Sequence, residues 1–127
     1  MINKDKIPID NSKKDLFNTV FKLELKALSV NKCWQGRRFK TPDYNKYEQD
    51  VSFLLPKNII ITGEIGMLIE YHCKNYKMID LDNLCKPLLD ILVKNGIIED
   101  DRKIVKLNLR KIKSDLNDYL IISIWKI

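Results

Sequence analysis

Three stretches of the chain alternate hydrophobic and polar residues, and this period of two predicts half-buried β-strands. The first covers residues 19–28. The second covers residues 63–73, and its buried face would carry Ile65, Met67, Ile69, Tyr71 and Cys73. The third begins after Asp101 and would separate Val105, Leu107 and Leu109 from Lys106, Asn108 and Arg110. A fourth strand is predicted at residues 119–127, which follow a turn and are rich in β-branched residues.

Two helices are predicted between these strands. Thr41 as N-cap and Pro42 at the first helical position open one helix, which should end before Pro56. The apolar stripe of this helix would be Tyr44, Tyr47, Val51 and Leu54. The second helix covers residues 84–94 and should bury Leu84, Leu88, Ile91 and Leu92.

The order and length of these elements predict one domain. The order βαβαββ indicates an α+β fold with a mixed or largely antiparallel sheet and both helices on one face. The 127 residues, 45% of them hydrophobic, suffice for one core and are too few for two ordinary domains. Residues 1–18 are predicted to form a loose arm without a regular element.

The composition favours neither a membrane protein nor a metal site built from cysteines. No stretch approaches the roughly 20 apolar residues that span a bilayer, and the first residues lack the apolar run of a signal peptide. We therefore expect a cytoplasmic protein without a membrane partner. Cys33, Cys73 and Cys85 are scattered and are predicted to be free thiols, while His72 is predicted to pack on a strand without a chemical role.

The charge of the chain is unevenly distributed. The formal net charge is +6, yet residues 78–101 gather five aspartates around Lys86, namely Asp80, Asp82, Asp90, Asp100 and Asp101. A basic body around an acidic centre suits a polyanion held by its backbone, with metal ions shielding the point of attack. The alternative from composition alone is a basic soluble protein with no such partner.

The acidic stretch has a structural and a chemical interpretation. A surface helix capped by Asp82 or Asn83, with Lys86 paired to Asp82 and Asp90, would explain part of it. Pro87 places the start of that helix near Asn83 or Leu84, which leaves Asp82 on the strand side of the junction. Asp80 and Asp82 would then share one face of an extended segment, and reversal at Asn95-Gly96 could bring Asp101 to them.

Converging carboxylates of this kind need a cation among them, and hard oxygen ligands suit Mg²⁺ or Mn²⁺. An EF-hand is excluded, because Leu84, Cys85 and Ile91 stand where its loop requires an oxygen ligand, glycine and glutamate. A divalent metal site is therefore the sharper hypothesis.

A second candidate site lies at residues 29–42. Cations alternate there with Trp34 and Phe39, a composition that can hold phosphates and stack on exposed bases. The candidate DNA-binding residues are Lys32, Arg37, Arg38 and Lys40. The alternative is an ordinary solvated loop with Trp34 folded into the core.

These motifs together resemble a known family. The segment Asp80-Leu81-Asp82-Asn83-Leu84, followed by Lys86, Asp90, Leu92, Gly96-Ile97 and Asp100-Asp101, resembles the RusA family of Holliday junction resolvases. The segment Ser29-Val30-Asn31, followed by Trp34, Arg37 and Arg38, is similar to the amino-terminal region of that family.

The resemblance implies a site and an activity. Asp80, Asp82 and Asp101 match the acidic metal-binding residues, with Asp100 as a further candidate ligand, and Lys86 matches the catalytic lysine. The implied activity is Mg²⁺-dependent nicking of four-way DNA junctions in opposed strands, with Mn²⁺ able to substitute, in recombination and repair. Two symmetric cuts need two sites related by a two-fold axis, so a homodimer is expected. The implied setting is bacterial or phage-encoded.

Two other functions are compatible with the same residues. One is a nuclease for other branched DNA, such as flaps or forks, which substrate competition would distinguish. The other is a non-catalytic DNA-binding protein whose acidic cluster is structural. The gathering of Asp80, Asp82 and Asp101 with Lys86 argues against the second, because a module that only binds gains nothing from negative charge where DNA must lie.

Overall fold

A mixed four-stranded sheet, covered on one face by two helices, is the centre of the fold. The computed structural model describes residues 13–36 and 39–127. The strands are β1 (Lys14–Asp15), β2 (Asn18–Leu23), β3 (Trp34–Gln35), β4 (Phe39–Lys40), β5 (Ile59–Ile60), β6 (Ile65–Cys73), β7 (Ile104–Lys113) and β8 (Tyr119–Lys126). The helices are α1 (Pro42–Leu54) and α2 (Cys85–Lys94). Short 3-10 turns occupy Val30–Lys32, Tyr76–Met78, Leu81–Leu84 and Asp101–Lys103.

The main sheet has the strand order β2-β8-β6-β7. Strand β8 is antiparallel to both β2 and β6, whereas β6 and β7 are parallel. Strands β1 and β5 form a small parallel pair, and β3 and β4 form a short antiparallel hairpin. The longer elements follow the order βαβαββ, so the predicted α+β class and mixed sheet are confirmed.

The core lies between the inner face of the sheet and the two helices. All five residues predicted to face inward from β6, Ile65, Met67, Ile69, Tyr71 and Cys73, are buried. They form one cluster with residues of both helices, including Val51 of α1 and Leu88 of α2. Burial of each such side chain contributes about 1.5–3 kcal/mol, which fixes both helices on this face.

Helix α1 begins and ends where its sequence predicts. The Thr41 hydroxyl accepts a hydrogen bond from the Tyr44 amide at 3.1 Å, and Pro42 occupies the first turn. The predicted apolar stripe is wrong at one position, because Leu54 is 41% exposed and Leu55 is buried instead. The backbone of Leu55 is extended, so its side chain turns back to the core where the helix ends.

The amino-terminal prediction is wrong for the described part of residues 1–18. Lys14–Asp15 forms β1, and β2 already begins at Asn18. The Lys13 ammonium donates to the carbonyl oxygen of Asn95 at 3.1 Å, which ties this segment to the end of α2. Residues 1–12 lie outside the described part of the chain.

Two predicted strands differ from the observed ones in extent or exposure. Strand β2 ends at Leu23, short of the predicted residue 28, because its partner β8 provides no pairing beyond Leu120. On β7, Val105 and Leu107 are 52% and 41% exposed, although they were predicted to face inward with Leu109. Strand β7 lies at the sheet edge, and an irregularity in its pairing with β6 skips Val105.

The cysteines and the single histidine have packing roles. Cys33, Cys73 and Cys85 are buried free thiols, and burial raises the pKa of Cys85 to about 11. His72 stacks on the Tyr119 ring with centroids 4.2 Å apart. Neither helix of the described part of the chain is both long and apolar enough to cross a membrane.

Candidate active site and nucleic-acid surface

The acidic turn leads directly from the sheet into helix α2. Asp80 has extended backbone, but the next four residues, Leu81–Leu84, form a 3-10 turn that continues into α2. The prediction that Asp82 belongs to an extended segment is therefore wrong. The N-cap of α2 is Leu84, without a side-chain capping bond, so capping by Asp82 or Asn83 is also wrong. Pro87 lies in the first turn of α2, where its missing N–H costs nothing.

The chain then returns to this turn through a sharp reversal. Helix α2 ends at Lys94 with Asn95 as its C-cap, and Gly96 has a φ of +70°, which glycine adopts without strain. After buried Ile97 and Ile98, Asp100 caps the 3-10 turn Asp101–Lys103 by accepting from the Arg102 amide at 2.9 Å. Hydrogen bonds from Arg102 hold the pKa of Asp100 far below its usual range.

Lys86 joins helix α2 to the carboxyl end of the acidic stretch. Its Nζ lies 2.9 Å from Asp101 Oδ2 and 2.9 Å from Asp90 Oδ1. The predicted pair with Asp90 is confirmed, whereas no pair between Lys86 and Asp82 occurs. The reversal brings Asp101 to Lys86 rather than into a group with Asp80 and Asp82, as the sequence had predicted. Hydrogen bonds first with Asp101 and then with Asp90 raise the pKa of Lys86, so the ammonium stays charged at neutral pH.

The three proposed metal ligands are placed differently from one another. Asp101 contacts Lys86, while Asp80 and Asp82 are exposed, and the Asn83 side-chain amide lies 3.5 Å from the Asp80 carboxylate. Over residues 13–36 and 39–127, no three His, Cys, Asp or Glu side chains are grouped closely enough to hold a metal ion. The donor types fit a hard divalent cation, but the predicted three-carboxylate grouping is not present among the described residues.

A groove of about 650 Å³ opens beside Asp80. Its walls come from residues 26–32, from one side of α1 and from residues 75–84. Lys32, which the sequence marks as a DNA contact, therefore shares a cavity with Asp80, which it marks as a metal ligand. Sequence reasoning did not identify Lys26 or Lys46, which line the same groove, because their neighbours along the chain carry no motif.

The predicted nucleic-acid segment contains the short antiparallel hairpin β3–β4. Lys32 is exposed, and Phe39 on β4 is 72% exposed. Trp34 is 44% exposed and lies edge-on to the Tyr44 ring at 5.6 Å, so the alternative in which Trp34 enters the core is wrong. Lys40 is held by Glu48 at 3.1 Å, and Arg37 and Arg38 lie outside the described residues.

The polar row of β7 faces away from the helices. Lys106, Asn108 and Arg110 are exposed, and Arg110 pairs with Glu70 of β6 at 2.9 Å. This arrangement matches the common charged outer face of a sheet.

A comparison with protein families shows which family the chain resembles. The family model described as "Endodeoxyribonuclease RusA" matches residues 26–124, which include the groove, Lys86 and all five aspartates of the acidic stretch. No curated protein matches the chain.

Proposed function

Because the chain belongs to the RusA endodeoxyribonuclease family, we propose that this nuclease resolves four-way DNA junctions by paired symmetric nicks, in recombination and repair. The observation that carries the proposal is the contact between Lys86 and Asp101. It joins a fixed positive charge on α2 to a carboxylate at the carboxyl end of the acidic stretch, within the part of the chain that matches the family.

In this proposal, Asp80, Asp82 and Asp101 would hold Mg²⁺, with Asp100 as a further candidate ligand and Mn²⁺ able to substitute. A bound divalent ion supplies hydroxide at neutral pH and relieves charge on the phosphate. The exposed carboxylates of Asp80 and Asp82 support this role, because their oxygens are accessible from solvent.

Lys86 is proposed to contact the phosphate that is cut. Its side chain is 57% exposed and stays protonated, so it can meet a phosphate from solvent and stabilise the negative charge that grows during cleavage. Asp90, one helical turn away, holds the ammonium from the other side. A phosphate can therefore approach a lysine whose position is already restricted.

DNA is proposed to bind across the hairpin and the groove. Lys32, Arg37, Arg38 and Lys40 would contact phosphates, and exposed Phe39 is available to stack on a base. Lys40 can contribute only in part, because Glu48 already neutralises much of its charge. Two cuts in opposed strands require two such sites, so the proposed active form is a two-fold symmetric homodimer. The proposed setting is the bacterial cytoplasm, with a bacterial or phage gene.

The test is incubation of the protein with a synthetic four-way junction, with and without Mg²⁺, beside fork and flap substrates. We expect paired nicks in opposed strands only with Mg²⁺, and preference for the four-way junction in competition. Lys86→Ala should abolish cutting, whereas Lys57→Ala, at the far end of α1, should not. Faster cutting of flaps or forks would favour the other nuclease function, and binding without cutting would favour a DNA-binding protein.

A further inference from the structure

The groove beside Asp80 has the size and position of a binding subsite. Its volume of about 650 Å³ falls within the roughly 300–1,000 Å³ of small-molecule pockets. Its lining includes the proposed metal ligand Asp80 and Lys32 from the proposed DNA-binding segment. The groove therefore brings a proposed DNA contact and a proposed metal ligand to one cavity.

Two of its three lysines are available to an incoming anion. Lys46 is held by Asp50 at 2.8 Å. Lys26 and Lys32 are exposed and form no ion pair with any residue in the described ranges. Asp43 and Asp80 are the remaining charged residues of the lining. The groove is therefore lined by both lysines and aspartates.

The rest of the lining combines side-chain amides with apolar surface. Asn31, Asn75 and Asn83 each offer both a donor and an acceptor, while Leu28 and Ile79 supply apolar walls. A nucleotide base has this same combination, with an apolar face and an edge of donors and acceptors.

We propose that the groove binds one unstacked nucleotide of the branched DNA, next to the phosphate that is cut. Lys26 and Lys32 contact its flanking phosphates, the apolar walls receive the face of the base, and the asparagine amides contact its edge. Bases at a branch point are easier to extrude than bases inside a duplex, since less pairing and stacking is lost. This inference rests on the proposed function and adds a place where the identity of a base could influence cutting.

The first test uses four-way junctions with 2-aminopurine at the branch point, bound to the full chain at saturating concentration in EDTA. We expect fluorescence to rise when the base leaves the stack. Ala27→Trp, which fills the groove, should remove the rise, and Asn31→Ala, at an exposed position, should reduce it. Lys57→Ala is the control and should keep the full rise.

Thermal unfolding of each variant shows whether it is folded. If Ala27→Trp fails to fold, Asn31→Ala decides the question alone. No rise with the unmodified chain, or an equal rise with Asn31→Ala, would overturn the inference.

The second test measures the salt dependence of junction binding. Each phosphate contact to an unpaired strand contributes about 0.7 to the slope of log affinity against log salt. Lys26→Ala and Lys32→Ala together should lower the slope by about twice that amount. An equal decrease per charge with Lys57→Ala would mean that only net charge matters and would overturn the assignment.

The two proposals can fail separately. If the unmodified chain cuts junctions but the 2-aminopurine fluorescence does not rise, the proposed function stands and the groove inference is wrong. If it neither binds nor cuts branched DNA, the proposed function is wrong and the inference that rests on it is wrong as well.

Discussion

Lys86 on helix α2 holds Asp101 across the chain reversal, with Nζ 2.9 Å from Oδ2, while Asp90 occupies the other side of the same ammonium. Two carboxylates thus share one positive charge. Since all three side chains are at least one-third exposed, this contact contributes little to folding. Its importance is positional, because it brings a lysine and a proposed metal ligand together.

The proposed metal ligands should differ in their effect on stability. Asp80→Asn and Asp82→Asn should leave unfolding in EDTA nearly unchanged, because neither carboxylate pairs with a described cation. Asp101→Asn loses the Lys86 pair and should destabilise the chain by about 0.2–1 kcal/mol. All three should abolish junction cleavage in Mg²⁺.

Asp90→Asn is the matched control, since it also breaks a Lys86 pair but removes no proposed ligand. It should lose similar stability and retain measurable cleavage. Near-normal cleavage by the Asp80, Asp82 and Asp101 variants would show that these residues are not the metal site.

The identity of the divalent ion should separate binding from cutting. Mg²⁺ and Mn²⁺ should support paired nicks, whereas Ca²⁺ should permit binding with little cutting, because it prefers looser coordination and is a weaker Lewis acid. Gel analysis of both junction strands measures this. Full activity in excess EDTA, or equal cutting in Ca²⁺, would contradict the proposed mechanism.

Binding should be strongly salt-dependent and should involve a dimer. The net charge of +6 and the exposed lysines predict that junction affinity falls steeply as salt rises, because each phosphate contact releases condensed counterions. A binding series in salt and sedimentation of the free protein measure the two properties. A monomer whose junction affinity does not change with salt would contradict this prediction.

Glu48 should make stability depend on pH through its contacts with two elements. It lies 3.1 Å from both Lys40 of β4 and Lys94 of α2. Burial by itself raises the pKa of Glu48, but hydrogen bonds from Lys94 and Lys40 outweigh burial and lower it. The stabilisation is therefore present above the unfolded pKa of about 4.3 and is lost as pH falls through the folded value.

Glu48→Gln should accordingly lower stability by roughly 1–2 kcal/mol near pH 7, with the difference from the unmodified chain shrinking below about pH 4. Denaturant unfolding across this pH range measures it. Asp50→Asn, which removes an exposed pair with Lys46, is the control and should cost about 0.5 kcal/mol or less. A pH-independent effect of Glu48→Gln would mean that shape, rather than charge, is responsible.

Sequence patterns determined those parts of the fold that depend on near neighbours. The capped start of α1 at Thr41, the buried face of β6 and the helical pair of Lys86 with Asp90 all follow from spacings of two to four residues. Each of these features is formed by residues within one element. Motif spacing likewise identified the acidic stretch as the candidate site.

Only the tertiary structure decided features that depend on distant partners. Strand β7 became an edge strand, which left Val105 and Leu107 exposed, and Gly66 became indispensable to packing, because a Cβ there would stand 2.4 Å from the Trp125 ring. The 3-10 turn at Asp82 also replaced an extended segment, since the chain must pass from β6 into α2.

The groove beside Asp80 is lined by three segments separated by up to about fifty residues. No local sequence pattern predicts that these segments lie next to one another. The physical reason is common to all these cases. Side-chain periodicity encodes which face of an element is apolar, whereas the neighbour that covers that face is selected by packing across the whole chain.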